Sequence, residues 1–314
     1  MNILLTGCAG FIGSRTCSLL LDTDNEVIGI DNLNDASYSH KVKEERLQKL
    51  IGKERFKFQQ IDITNKEDLS ALFENNKFDA VINLAALAGV RASLENPWSF
   101  LETNVTGTLN LLELCVKHDV KKFVVASSSS VYGITNRKAK EDDNTDRPLS
   151  QYGATKKTVE VLCYSYHYLY GLDITMLRYF TCYGCSGRPD MSIYRFIEGI
   201  RNDKEIEVYG DGTQKRDFTY VDDIVEGTIK ALNPLGYQII NLGNNNPVEL
   251  NYIIELIEKE LGKKAKIKYS PRNMADVLIN YADIRKAKQL LEWEPKVKIE
   301  DGIKKMVRWH IENL

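Results

Sequence analysis

Asn2-Ile3-Leu4-Leu5-Thr6-Gly7-Cys8-Ala9-Gly10-Phe11-Ile12-Gly13 decides the fold. A short apolar strand runs into a turn with glycines at 7, 10 and 13, and a helical pattern follows through Leu21. Strand, glycine turn and helix in this order are the context a dinucleotide site requires. Glycines let the backbone approach a pyrophosphate, and the N-terminus of the following helix favours its negative charge. A second strand, Glu26 to Ile30, ends in Asp31-Asn32. An acidic residue about 20 positions beyond the glycines bonds adenosine ribose hydroxyls and repels a 2′-phosphate, so NAD is expected rather than NADP.

Outward from this unit, strand and helix alternate. Phe56 to Ile61 reads as a strand ending in Asp62-Ile63, a candidate adenine contact. Asp79 to Leu84 ends in Ala85-Ala86-Leu87-Ala88-Gly89, small residues beside which a cofactor can lie close. Pro97 to His118 reads as one long helix containing Asn104. Regular alternation of this kind implies a doubly wound parallel sheet. After a strand at Asp173 to Tyr179 the character changes. Gly184, Gly187 and Pro189 crowd one loop, and helical patterns at 249–261, 283–291 and 299–311 fill the remainder.

Chemistry concentrates at Tyr152-Gly153-Ala154-Thr155-Lys156, read with the serine run 127–130 upstream. Tyr152 and Lys156, four apart, share one face of a helix for which Ser150 is the expected cap. A free tyrosine has a pKa of about 10, and a neighbouring ammonium lowers it. The serines follow the apolar strand Lys122 to Ala126, so their hydroxyls fall at a strand C-terminus, where open α/β sheets place ligands. The same helix carries apolar and aromatic residues on several sides, more than one sheet can cover. The surplus face points to a homodimer through the 97–118 and 150–170 helices.

Composition narrows the partners. At 314 residues, with 43% hydrophobic and 27% charged content, the chain fits a globular protein of one or two domains. A net charge of −2 gives no electrostatic case for nucleic acid or an anionic membrane. No apolar run approaches the roughly 18 residues that span a bilayer, and no basic region precedes the first strand as in a signal peptide. Six scattered cysteines suit a reducing cytoplasm. Cys182 and Cys185 form a C-x-x-C without a second pair, and the histidines lie in no ligand-spaced cluster, so no metal site is expected.

Jointly these residues resemble the extended short-chain dehydrogenase/reductase family, and within it the NAD-dependent nucleotide-sugar epimerases. The resemblance covers nearly the whole chain. It rests on the glycine turn, Asp31-Asn32, Asp62-Ile63, Ala85-Ala86, Asn104-Val105-Thr106-Gly107-Thr108, Ser128 with Val131-Tyr132-Gly133, the Tyr152/Lys156 pair, and Arg216-Asp217-Phe218-Thr219-Tyr220-Val221-Asp222-Asp223. It implies a Rossmann domain over 1–177, to which 217–236 returns, and a smaller C-terminal α/β domain over 178–314 that binds a UDP-sugar. It also implies Tyr152 as base, Ser128 on the same sugar oxygen, and Lys156 on the nicotinamide ribose. Gly7, Gly10, Phe11, Ile12, Gly13, Asp31, Asn32, Asp62, Ile63, Ala85, Ala86 and Asn104 are the cofactor residues it implies.

Two stretches, Ala88 to Ser93 and Phe180 to Met191, are similar to those of UDP-glucuronate 4-epimerases; UDP-glucose 4-epimerases usually carry Asn where Thr181 stands. The substrate residues then expected are Ser128, Ser129 and Thr181 toward a C6 carboxylate, with Arg188 adding charge there or contacting the nucleotide instead, and Arg91 in a similar role. Arg216 and Arg272 are expected on the diphosphate, Tyr209 on uracil, and Met191 and Asp276 beside them. Cys185-Ser186 departs from a commoner Pro-containing pair, and no Pro-Gly precedes Asp276. Relatives that eliminate or decarboxylate place acids where Ser129-Ser130 stand, so a 4,6-dehydratase reading is weakened. The competing substrates are UDP-glucose and UDP-N-acetylglucosamine. A cofactor-binding sensor without turnover would typically lack the Tyr/Lys pair, which is present here.

Overall fold

The computed structural model describes residues 1–135, 137–272 and 277–314. β1 (Asn2–Thr6) passes through the glycine turn into α1 (Phe11–Leu21) and β2 (Glu26–Ile30). Then come α2 (His40–Gln48), β3 (Phe56–Gln59), α3 (Lys66–Asn75) and β4 (Ala80–Asn83). α4 (Val90–Glu95), α5 (Pro97–Leu101), a π-helical turn (Glu102–Thr106) and α6 (Gly107–Lys117) lead to β5 (Lys122–Ser128), α7 (Gln151–Tyr170) and β6 (Asp173–Tyr179).

Beyond β6 lie β7 (Thr181–Tyr183), α8 (Ser192–Arg201), β8 (Glu205–Tyr209), β9 (Lys215–Tyr220), α9 (Val221–Lys230) and β10 (Tyr237–Leu242). The chain closes with β11 (Pro247–Glu249), α10 (Leu250–Leu261), β12 (Lys266–Ser270), β13 (Ile279–Asn280), α11 (Arg285–Leu291) and α12 (Ile299–Asn313).

Seven strands pair in the order β10-β6-β5-β4-β1-β2-β3, every pair parallel. Parallel strands must be covered on both faces, which is why their sequences are nearly continuous apolar runs. Ile3 and Leu5 face one buried layer with Leu20 and Ile224, while Leu4 faces the other with Leu111 and Val159. The chain winds outward from β1 to β3 and then returns to β4 on the other side of β1. That reversal opens a crevice at the strands' C-terminal ends. The register sets what meets there: Thr6 pairs with both Ile30 and Asn83, and Ser128 with Tyr179.

The later chain is interleaved with this sheet. α9 packs on α1, and β10 adds the seventh strand beside β6, so the return to the first unit extends to Leu242. β7, β9, β11 and β13 form a second, smaller sheet, and β8 pairs with β12. A third apolar layer, with Ile197, Ile253 and Ile303 at its centre, joins α8, α10 and α12.

The expected helix over 97–118 carries a wide turn at Glu102–Thr106. A π-turn accommodates one residue more than an α-turn, and such turns recur at functional sites. Here it brings Asn104 inward. The Asn104 amide accepts from Leu87 N at 2.8 Å and donates to Leu87 O and to Thr155 Oγ1, both at 3.0 Å. One buried side chain thus ties the loop after β4 to α7.

Candidate active site

The crevice is a cleft of about 460 Å³ reaching from the glycine turn to β13. Gly7, Gly10, Phe11, Ile12 and Gly13 line its floor, with Asp31, Asn32, Asp62, Ile63, Ala85 and Ala86. At Gly7, φ is +68°, and a Cβ there would stand 2.7 Å from Ala85 N. A Cβ on Gly13 would stand 2.0 Å from the Gly7 carbonyl oxygen. At both positions a side chain would collide with backbone, so glycine lets the turn close tightly, and the N-terminus of α1 opens into the cleft. Beneath it, Thr6 Oγ1 donates to Asn83 Oδ1 at 2.6 Å and accepts from Ala85 N at 3.1 Å, fixing the β4 loop against the turn. The donor set fits a dinucleotide: backbone amides for the pyrophosphate and a carboxylate at the end of β2 for a ribose. Asp31 is buried and accepts from Ala9 N and Leu33 N, with the Lys43 ammonium 3.7 Å away. Asn32 donates to Asp62 at 2.6 Å, joining the ends of β2 and β3.

The reacting end is assembled by α7 and the serine loop. Ser150 caps α7, accepting from Gly153 N at 3.1 Å. A Cβ on Gly153 would lie 2.7 Å from Ser130 O, so only glycine lets the helix start press on the loop. This contact brings the Ser128 hydroxyl within hydrogen-bonding reach of the Tyr152 phenol. Ser128 Oγ already accepts from Ser130 N, which leaves its proton for Tyr152. Phe100 of α5 meets the Tyr152 ring edge-on, with centroids 6.2 Å apart.

Electrostatics here differ from the sequence expectation for Lys156. Burial raises the Tyr152 pKa above its ordinary value, while the Ser128 bond and the positive charge of Arg188 act to lower it. Lys156 is instead turned to the Ala126 carbonyl, to which it donates at 2.7 Å. Burial brings its pKa down to about 8, opposed by Cys163 and then by the negative charge of Glu160 one helical turn on. Glu160 is itself fully engaged. It accepts from Ser127 Oγ at 2.6 Å and pairs with both nitrogens of an Arg178 fork at 2.8 Å, all buried.

Ser129, Thr181, Arg188, Met191 and Arg216, all expected on the substrate, line the cleft. Arg188 forms a fork with Asp190, at 3.0 and 2.6 Å, and donates to Ala88 O at 2.9 Å. Arg216 donates to Lys215 O at 3.0 Å and lies in β9 beside β13. Other expected residues sit elsewhere. Asn104 lies behind the cleft wall, its amide consumed by Leu87 and Thr155. Arg91 and Tyr209 meet each other, the guanidinium carbon 3.5 Å from the ring centroid, outside the cleft lining. Arg272 is exposed and also lies off the lining. Asp276 lies outside the described residues. Sequence reasoning missed Tyr38, Lys43 and Asn280, which line the cleft. Lys43 falls on a charged surface helix and Asn280 on a two-residue strand, and neither context distinguishes a cleft residue. Among the described residues no cluster of His, Cys, Asp or Glu is placed to hold a metal ion, and no helix is long and apolar enough to cross a membrane.

Comparison with known proteins places this geometry. The family model described as GDP-mannose 4,6 dehydratase matches residues 4–306. A UDP-glucuronate 4-epimerase of Thermodesulfobacterium geofontis is 56% identical over 312 residues, covering 99% of this chain and 96% of the relative. The crystal structure of a UDP-glucuronic acid 4-epimerase from Bacillus cereus, in complex with UDP-glucuronic acid and NAD, superposes with a TM-score of 0.95 at 38% identity and covers 100% of both chains. A UDP-glucose 4-epimerase of Thermotoga maritima, solved with UDP-glucose, gives a TM-score of 0.91 at 32% identity over 99% of each chain.

Proposed function

We propose a reaction for a chain that belongs to the GDP-mannose 4,6-dehydratase family of short-chain-dehydrogenase-type epimerases and dehydratases: it inverts C4 of UDP-glucuronate, giving UDP-galacturonate, through a transient 4-keto sugar. The chain is an isomerase and its cofactor is NAD. Bound NAD accepts a hydride from the sugar and returns it, so none is consumed.

The residues divide the work. Tyr152 takes the proton of the 4-hydroxyl, and Ser128 bonds the same oxygen. Lys156 holds a positive charge beneath them. Arg216 holds the diphosphate, about which the sugar turns to present its other face. Tyr152 then gives the proton back. The glycine turn, Asp31, Asn32, Asp62, Ile63, Ala85 and Ala86 seat the dinucleotide. Residues 1–177 form the NAD-binding unit and 178–314 the UDP-sugar unit, apart from the return described above.

One observation carries the choice of sugar. The cleft's carboxylates are Asp31 and Asp62 at the nucleotide end and Asp190, which is paired with Arg188; the described polar lining around Tyr152 is hydroxyls and cations, with no free acid. Eliminating a C6 hydroxyl needs an acid and a base at C5 and C6. An anionic sugar needs donors, and Ser128, Ser129 and Thr181 provide them. A 4-keto hexuronate is a β-keto acid and loses carbon dioxide most readily when the carboxylate bond stands perpendicular to the ketone plane. Fixed donors hold it away from that geometry, each worth about 1.5–3 kcal/mol to a charged group. The two relatives named as glucuronate epimerases are 56% and 38% identical to this chain, which supports the same reading. The test is the ratio of kcat/KM for UDP-glucuronate over UDP-glucose. It is expected well above one, and a value at or below one overturns the acid reading.

The working unit in this proposal is a homodimer in the cytoplasm. α7 exposes Val161, Tyr164 and Tyr168 on one face, and Trp98 and Leu101 are exposed on the neighbouring helical stretch. Each such side chain gains about 1.5–3 kcal/mol when fully buried. Light scattering that finds a monomer at working concentration would remove this part of the proposal.

A further inference from the structure

Asn280 comes from the short strand β13, paired in register with Arg216 of β9. Its Nδ2 donates to Ser129 Oγ at 3.0 Å, across 151 positions of sequence, and its Oδ1 is buried without a hydrogen-bond partner among the described residues. The backbone around it is pinned. Asp217 is buried and accepts from Ala282 N at 2.8 Å, from Asn245 N at 3.0 Å and from Asn244 N. Asn280 is therefore held rigidly against the serine loop by the C-terminal unit.

A serine hydroxyl has one proton to give and two lone pairs to accept with. The Asn280 amide fills an acceptor site on Ser129, so the Ser129 proton must point elsewhere, and Ser129 lines the cleft. We propose that Asn280 is a positioning residue for specificity: it keeps Ser129 a donor toward the sugar's carboxylate. The proposal rests on the UDP-glucuronate reading for the identity of the anion.

Asn280→Asp tests it at nearly constant shape. The new carboxylate accepts from Ser129, turning its proton away from the sugar, and adds a negative charge beside the carboxylate. The kcat/KM ratio of UDP-glucuronate over UDP-glucose is expected to fall about 10-fold or more, the value of one hydrogen bond to a charged group. Asn280→Ala is the milder variant, and NAD retained on purification reports that either variant is folded. With Ser129→Ala already in place, Asn280→Ala should lower the ratio by less than about twofold further. A ratio unchanged in Asn280→Asp, or effects of Asn280→Ala and Ser129→Ala that multiply, overturns the proposal. Failure of the substrate reading is separate: it appears in the wild type as a ratio at or below one. The coupling of the two positions is then measured on kcat/KM for the preferred sugar, where additive effects still overturn the positioning role.

Discussion

The two ends of the cleft are built differently. At the end proposed for the nucleotide the lining is the backbone of the glycine turn with a few polar side chains at strand ends, Asp31, Asn32 and Asp62, contributed in chain order by β1, β2, β3 and β4. At the end proposed for the sugar the lining is mostly side chains, and they come from β5, the serine loop, α7, β7, the loop before α8, β9 and β13. Ser129 meets Asn280 across 151 positions, whereas Gly13 closes on Gly7 within one turn. The first end tolerates little change of shape, and the second little change of chemistry.

The largest expected effect breaks the sugar end alone. Tyr152→Phe keeps the ring packed on Phe100 but removes the ionisable hydroxyl. Turnover should fall by about 10²–10⁴-fold, with NAD content and UDP-sugar binding kept. Near-normal turnover, measured by NMR of the products, would remove Tyr152 from the role of base.

Next comes the strut beneath the serine loop. Glu160→Gln leaves Arg178 as a buried charge without its partner, a loss of about 3–5 kcal/mol. Calorimetry should show a melting temperature lower by on the order of 10 °C. The same variant carries a pH signature. The Glu160 charge favours the ammonium form of Lys156, so removing it lowers a pKa already at about 8. The alkaline fall in kcat/KM, where Lys156 loses its proton, should move to lower pH in Glu160→Gln. A fall at the wild-type position would disconnect Lys156 from the profile.

The smallest effect sharpens the nucleotide end. Gly13→Ala puts a methyl group against the Gly7 carbonyl, and overpacking of this kind costs about 1–3 kcal/mol. If the strain falls on the glycine turn, NAD binding weakens by about 10- to 100-fold. NAD(H) released on denaturation should drop, and added NAD should restore activity with the sugar preference intact. A changed sugar preference would contradict the separation of the two ends.

The same contrast explains what could be read early. The apolar runs at Asn2–Thr6 and Asp173–Tyr179, the glycine spacing and the i, i+4 pairing of Tyr152 with Lys156 are local regularities, and a sheet buried on both faces enforces them. Ser150 is visible as a cap for the same reason. Lys156 shows the limit. Its helical spacing puts it on the face of Tyr152, but its direction depends on the Ala126 carbonyl of a neighbouring strand. Arg91 and Tyr209 were expected on separate ligand groups, and packing stacks them on each other.

The sequence by itself therefore determined the parallel sheet, the dinucleotide turn and the Tyr152/Lys156 helix, because each is encoded within one or two consecutive elements. Only the tertiary structure decided that Asn104 clamps Leu87 and Thr155, that Glu160 and Arg178 form a buried strut, and that Asn280 reaches Ser129. Those pairs lie 17 to 151 positions apart. A hydrogen bond acts over about 3 Å, so partners distant in sequence are chosen by how the packed layers bring them together.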